Sequence, residues 1–362
     1  MKRILWISAS RIFGGAHIIS NKLIERIPGS TLLVNTVNES NYKQTSYPVE
    51  FMDFNNIRKE FKSIIIFIKE FYAISFKLRK KFSNYSEIIA IDFNSLIFAS
   101  IAKIFRMNID ITYYVHSAFK NTTLNKMFIA TFVNMISDKI IVPSNYLKIN
   151  LQSIGVKSSK IDIVYNGVEK INSLPLKRND NSKEIIISHF GRINDQKGQD
   201  LYCRAIKQIV SEGKYDIRAY FGGEIDDKKY FEEIKREIKG YEENINYVGK
   251  LMHQDVIEII NKSDIVVCTS KYLENLPTIL LEALSMGKVV VGSNLGGIPE
   301  IIENYKNGLL FEPNNEDDLY QKLKFIISEE KYISWQQGAI ESYNKKFTMD
   351  KFRSKFMEVC NI

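Results

Sequence analysis

Short apolar runs alternate along the chain with longer segments whose apolar residues recur at helical spacing. "RILWIS", "TLLVNTV", "EIIAID", "DITYYVH", "KIIVPS" and "KIDIVYNGV" are bounded by polar or turn residues and read as strands. Most are apolar nearly throughout, the pattern of a sheet covered on both faces. "AHIISNKLIERI" and "NKMFIATFVNMIS", lying between them, have the length and period of helices. The pattern pauses at residues 172–184, "NSLPLKRNDNSKE", a polar stretch containing Pro175 that reads as a linker. It restarts with "IIISHFGR", "IRAYFGG", "INYVGK", "DIVVCTS" and "KVVVGSN", again with helices between. "FTMDKFRSKFMEVC" carries apolar residues at helical spacing and predicts a last helix.

Strands alternating with helices predict an α/β protein of parallel sheets. At 362 residues the chain suits two domains. The expected organisation is two doubly wound, Rossmann-like domains, residues 1–171 and 185–344, with the final helix, about 345–362, returning to the first. Ligands of open α/β sheets bind outside the carboxyl ends of the strands, so a cleft lined by those loops is expected to hold the chemistry.

Composition adds class and compartment. Hydrophobic content of 45% and charged content of 25% fit a soluble globular protein. The most apolar stretch, "SIIIFIKEFYAISF", is interrupted by Lys69 and Glu70, too early for a membrane span. "KRILWIS" reads as a strand and not as a secretion signal. Cys203, Cys268 and Cys360 are scattered, without metal or redox spacing, which suits a reducing, cytoplasmic location. Charge is uneven. Residues 1–172 hold 23 Lys and Arg against 12 Asp and Glu, a balance of +11, whereas the remainder holds 27 against 30, a balance of −3. An anionic partner for the first half is one explanation; a Lys- and Asn-rich composition is the other.

Three loops carry candidate chemistry. Gly14 and Gly15 follow the first strand and open a helix, where backbone N–H groups can approach a ligand; a plain turn would use the same glycines. "FGRINDQKGQD" places Arg192 and Lys197 in one loop, two cations suited to a diphosphate or simply to solvent. "SKYLENLPTILLEALSMGKVVVGSNLGGIPEII" sets Glu274 and Glu282 eight residues apart around a helix expected over 277–286, whose first turn Pro277 favours. Glu282, flanked by Leu280, Leu281, Ala283 and Leu284, is suited to ribose hydroxyls, and Glu274 to another polyol; a solvent-facing loop glutamate and an exposed helix glutamate are the plain alternatives.

Taken in this order, together with "NGLLFEP", these motifs resemble the retaining sugar-nucleotide glycosyltransferases of family 4. The resemblance is densest over residues 188–313. Shorter echoes occur at "GGAH", "VHSAF", "VPSNYLKINL" and "VYNGVE", and almost none over residues 36–85. It implies the GT-B architecture and transfer of a sugar, a hexose above all, from a UDP- or GDP-sugar to a saccharide acceptor. By the same resemblance Arg192 and Lys197 neutralise the diphosphate; by analogy with other fixed electrostatic groups, removing either is expected to cost about 2–4 kcal/mol of barrier stabilisation. Glu274 contacts the donor sugar and Glu282 the ribose. Leu276 and Thr278 offer backbone N–H groups, Lys250 and Leu251 lie against the base, and Gly14 and Gly15 approach the phosphates. His116 matches a position near the reaction centre, although a lone histidine at a strand end also reads as structural. His17 stands where the family often has an acidic residue, which leaves an acidic role there open.

No Asp-x-Asp occurs in the chain and no His/Cys cluster has ligand spacing, so no metal cofactor is expected. Residues 58–82 hold eight Lys and Arg against two Glu among aromatics and isoleucines. They read either as a helix on an anionic membrane surface or as a buried helix with a basic end. The first reading suits an acceptor on a polyprenyl carrier, as in bacterial O-antigen or capsule synthesis, at the inner face of the plasma membrane. A nucleotide-sugar epimerase, a phosphorylase and a non-catalytic sugar-binding protein are the alternatives on this architecture. A nicotinamide dehydrogenase lacks its fingerprint here, and no motif supports nucleic-acid binding.

Overall fold

The computed structural model describes residues 2–10, 15–42, 45–54, 74–117, 123–171 and 184–362. They form two compact units, one of residues 1–166 with 350–362 and one of residues 167–349. Among the described residues the first unit holds a seven-stranded sheet and the second a six-stranded sheet.

The first sheet comprises β1 (Ile4–Ser8), β2 (Ser30–Asn35), β3 (Val49–Met52), β4 (Glu87–Ala90), β5 (Asp110–Tyr114), β6 (Lys139–Val142) and β7 (Ile161–Ile163). Its order is β3-β2-β1-β4-β5-β6-β7, every pair parallel. Every residue of β1 is buried, as its unbroken apolar run requires of a central strand. Asp92 caps the helix Phe93–Ile104, its carboxylate accepting from the Ser95 backbone N–H at 2.9 Å, and Ser144 caps Asn145–Ser153 in the same manner. The helix Met349–Cys360 packs on this unit through Phe352 and Phe356, which are almost fully buried. Phe356 lies 5.3 Å from the Trp6 ring and 5.3 Å from that of Tyr114, centroid to centroid.

The second sheet comprises β8 (Ile185–Phe190), β9 (Ile217–Gly222), β10 (Ile245–Tyr247), β11 (Ile265–Cys268), β12 (Val289–Ser293) and β13 (Gly308–Phe311). The order β10-β9-β8-β11-β12-β13 is again wholly parallel. The chain winds outward from β8 to β10, then returns to lay β11 on the other side of β8. That reversal sets the loops after β8 and β11 side by side, the place where such sheets leave room for a ligand.

Several bounds differ from the sequence pattern. "DITYYVH" is strand only to Tyr114, and His116 follows it in irregular backbone. The helix expected over 277–286 runs Thr278–Ser285; Pro277, at ψ 115°, is extended and stands just outside it. Residues 172–183 of the expected linker lie outside the described residues, while Glu184 pairs with Arg218 at 2.7 Å in the second unit. The stretch 36–85 contributes β3 and a helical segment over residues 74–82, with Leu78 and Phe82 in the first unit's core. The basic segment expected at a membrane falls largely on residues 58–73, outside the described residues.

Candidate active site

The loops after β8 and β11 are joined by hydrogen bonds across the switch point. Asn194 caps a short turn over Asp195–Lys197, which ends in Gly198 at φ +68°. Glycine is needed there twice over: the backbone is left-handed, and a Cβ would fall 2.2 Å from the Thr269 carbonyl oxygen. Thr269, directly after β11, donates its hydroxyl toward the Lys197 and Gly198 carbonyls at 3.0 and 2.7 Å. His189, buried in β8, meets the same hydroxyl at 2.9 Å, and burial lowers its pKa to about 4. Because the Thr269 hydroxyl proton is directed at those carbonyls, the Nε2 of the neutral imidazole takes the donor role toward the hydroxyl oxygen. On the flank of the turn, the Lys271 backbone N–H donates to the Gln196 carbonyl, and its ammonium bridges Asp195 and Asp200 at 2.8 and 2.9 Å.

This scaffold brings Lys197 and Glu274 together. The ammonium donates to Glu274 Oε2 at 2.5 Å, and the Ser270 hydroxyl donates to the same oxygen at 3.0 Å. Burial alone would lower the Lys197 pKa, but the Glu274 carboxylate outweighs it and holds the group above the ordinary lysine range. Glu274 is itself held from behind: its carbonyl accepts from the Gly297 backbone N–H at 2.9 Å. A Cβ on Gly296, at φ +62°, would fall 1.9 Å from that carbonyl oxygen. Gly296 therefore lets the turn after β12 press against the Glu274 backbone, where Gly297 supplies the N–H. Cys268, at the end of β11, has its thiol pKa raised by burial and is no ready nucleophile.

Arg192 precedes the turn and extends into solvent, its guanidinium donating to Asp226 at 2.7 Å. Its backbone carbonyl accepts from the buried Gln199 side chain at 2.9 Å, and its positive charge acts on Lys197. Close approach fixes this loop too, because a Cβ on Gly223 would lie 1.9 Å from the Gly191 carbonyl oxygen. Lys250, two residues beyond Val248, is exposed and pairs with Glu224 at 2.9 Å; Leu251, beside it, is half-buried.

Leu276 is buried and Thr278 opens the helix Thr278–Ser285. The first N–H groups of a helix have no partner within it, and they carry the positive end of its dipole. One turn on, Glu282 is buried, with His253 Nε2 2.7 Å from its Oε1. In the first unit, Gly14 lies outside the described residues and Gly15 begins an exposed helix end. His116 stands beyond β5 with Nε2 3.4 Å from Ser20 Oγ and its ring 4.0 Å from that of Tyr114. Burial and the neighbouring His17 lower its pKa to about 3, so the ring is neutral at physiological pH. His17 is buried, which lowers its pKa, and Asp92, the cap of the helix after β4, acts in the opposite sense.

Arg192, Lys197, Glu274, Glu282, Leu276, Thr278, Lys250 and Leu251 all belong to the second unit and follow its strand ends; Gly15 and His116 belong to the first. Sequence reasoning missed His189, Thr269, Ser270, Lys271 and His253. The positions of Thr269 and Ser270 immediately after an apolar strand were the available signal. His253 had none, being 29 residues from the carboxylate it meets.

Comparison with known proteins gives the same outline. The family model "Glycosyl transferases group 1" matches residues 172–342, and "Glycosyltransferase Family 4" matches residues 47–170. An uncharacterized glycosyltransferase of Methanocaldococcus jannaschii is 29% identical over 216 residues, 59% of this chain and 57% of that protein. An uncharacterized 41.2 kDa protein in the cps region of Klebsiella pneumoniae is 27% identical over 228 residues, 61% of this chain and 59% of that protein. The chain thus spans less than two thirds of the length of these curated relatives. Among solved structures, Anabaena HepE in complex with UDP is similar with a TM-score of 0.86 at 19% identity, over 99% of both chains.

Proposed function

Because this chain belongs to the family 4-like glycosyltransferases and shares the GT-B fold, we propose that it transfers a sugar from a nucleoside diphosphate donor to a saccharide acceptor. The observation that carries the reading is the contact between Lys197 and Glu274. A cation fit for a diphosphate and a carboxylate fit for sugar hydroxyls meet at 2.5 Å, and a sugar–phosphate linkage is the ligand that needs both at one point. Lys197 keeps further N–H donors for phosphate oxygens, and Glu274 keeps Oε1 for a hydroxyl.

In this reading the barrier falls because negative charge appearing on the departing diphosphate meets Lys197, Arg192 and the N–H groups at Leu276 and Thr278. Fixed cations serve that purpose without a divalent metal. Glu282 takes the ribose, Lys250 and Leu251 border the base, and His116, Gly14 and Gly15 keep the roles that the family likeness implies for them. Retention of anomeric configuration and hexose transfer follow from the family likeness. UDP is the first nucleotide to test, since HepE was solved with UDP and with UDP-glucose. The relative from a cps region is in keeping with bacterial surface polysaccharide as the product class; an acceptor on a polyprenyl carrier at the cytoplasmic membrane face rests on the basic composition of residues 58–82 alone.

Thermal-shift titration tests this, with UDP, UDP-glucose and GDP, with and without EDTA, on the wild type and Glu282→Ala. A rise in melting temperature with one nucleotide, unchanged by EDTA and lost in the variant, is the expected result. No response from the folded wild type to any nucleotide would sink the reading. A response abolished by EDTA would leave the donor and remove metal independence. NMR of the product anomeric proton then decides retention.

A further inference from the structure

Resting on the reading of Glu282 as the ribose-binding carboxylate, we infer that His253 is a positioning residue that aims that carboxylate and so sets discrimination between ribose and deoxyribose. Glu282 is only 6% exposed. Among the described residues its side chain has one hydrogen-bonding partner, His253, with Nε2 2.7 Å from Oε1. A carboxylate only accepts, so the imidazole N–H is the donor. Oε2 is left without a partner. Unlike Glu87, whose Oε2 is enclosed and unpartnered within the fold, Glu282 keeps its second oxygen within reach of solvent, and so of a ligand hydroxyl. Here one oxygen is held and the other is available.

The geometry gives the held oxygen its purpose. A glutamate carboxyl rotates broadly about its last torsion, and a partner on Oε1 fixes the plane and with it the direction of Oε2. Ordering done before the ligand arrives is ordering the ligand need not pay for. His253 is well placed to provide it. It opens the helix Gln254 continues, His253–Lys262, and the start of that helix is fixed by Asp255, whose carboxylate accepts from the Met252 backbone N–H at 3.3 Å. The imidazole is half exposed, so replacing it leaves no large cavity.

The test is calorimetric affinity for UDP, 2′-deoxy-UDP and 3′-deoxy-UDP on the wild type, Glu282→Ala, His253→Leu and His253→Gln, with unliganded melting temperatures confirming the fold. The wild type is expected to prefer UDP over at least one deoxy analogue by roughly tenfold, the worth of one charge-assisted hydrogen bond. Glu282→Ala should abolish the preference and His253→Leu reduce it to about twofold, while His253→Gln, whose amide reaches the same oxygen, restores most of it. Abolition by Glu282→Ala with an unchanged ratio in His253→Leu would overturn the inference and leave the proposed function standing. A uniform loss of affinity for all three nucleotides in His253→Leu would do the same, since that marks a structural role. An unchanged ratio in Glu282→Ala would overturn the ribose reading and the inference with it. Where UDP gives no binding the guanosine series replaces it, and failure of both overturns both.

Discussion

Burial acts on two groups at the end of β8 with opposite results. Lys197 stays charged because Glu274 is in contact with it, whereas His189, facing a hydroxyl, is kept neutral. For His189 the consequence is a pH dependence of stability. Its folded pKa of about 4 lies below its ordinary 6.5, so the unfolded chain binds the proton more tightly. The stabilising term is complete above pH 6.5 and is lost as pH falls toward 4, a contribution on the order of 3 kcal/mol. Melting temperature is therefore expected to fall over that window, and His189→Gln to flatten the slope. At the diphosphate site the two cations separate by their surroundings. Arg192 reaches into solvent, so Arg192→Met should leave stability within about 0.5 kcal/mol while raising the barrier to transfer by about 2–4 kcal/mol. Lys197→Met should slow transfer similarly but also lower the melting temperature, because it strands the Glu274 carboxylate. Turnover and melting measured on both variants check this contrast.

At the scale of elements, glycines set how closely the loops approach. Gly296→Ala forces a side chain into left-handed backbone against the Glu274 carbonyl. A loss of about 2 kcal/mol or more is expected, read by urea denaturation, together with weakened nucleotide binding. The glutamates, the basic loop and the parallel sheets were legible because each is written in a short contiguous string: apolar runs for the strands, "FGRINDQKGQD" for the cations, Glu274 to Glu282 for the carboxylates. Strand ends were less so. Nothing local stops "DITYYVH" at Tyr114; its neighbour β4 has already ended at Ala90, opposite Tyr113, while β6 runs one residue past Ile141, the partner of Tyr114. The contacts that hold the site were not legible at all. Thr269 with His189 joins residues 80 apart, and Lys271 with Asp195 joins residues 76 apart. Such pairs form only once β11 has been laid beside β8, a fact of topology that no window of sequence contains.

At the scale of the whole molecule, the first unit borrows its last helix from the far end of the described chain. Phe356 stacks on Trp6, so Phe356→Ala is expected to cost about 3–5 kcal/mol, read as a lower heat-denaturation midpoint. The protein also carries its positive balance in residues 1–172. If that half meets an anionic membrane, sedimentation with vesicles containing anionic lipid should capture the protein at low salt and release it at high salt. Neutral vesicles giving the same capture would rule out a charge-driven surface.

The order of synthesis differs from the order in which the units can be finished. Residues 167–349 form an uninterrupted unit, whereas the first unit needs residues 350–362, which leave the ribosome only after the entire second unit has been made. Domains of nascent chains ordinarily settle from the N-terminus onward. Here the earlier-made sheet must wait with the surface around Trp6 and Tyr114 uncovered, and the later-made unit is the first that can close.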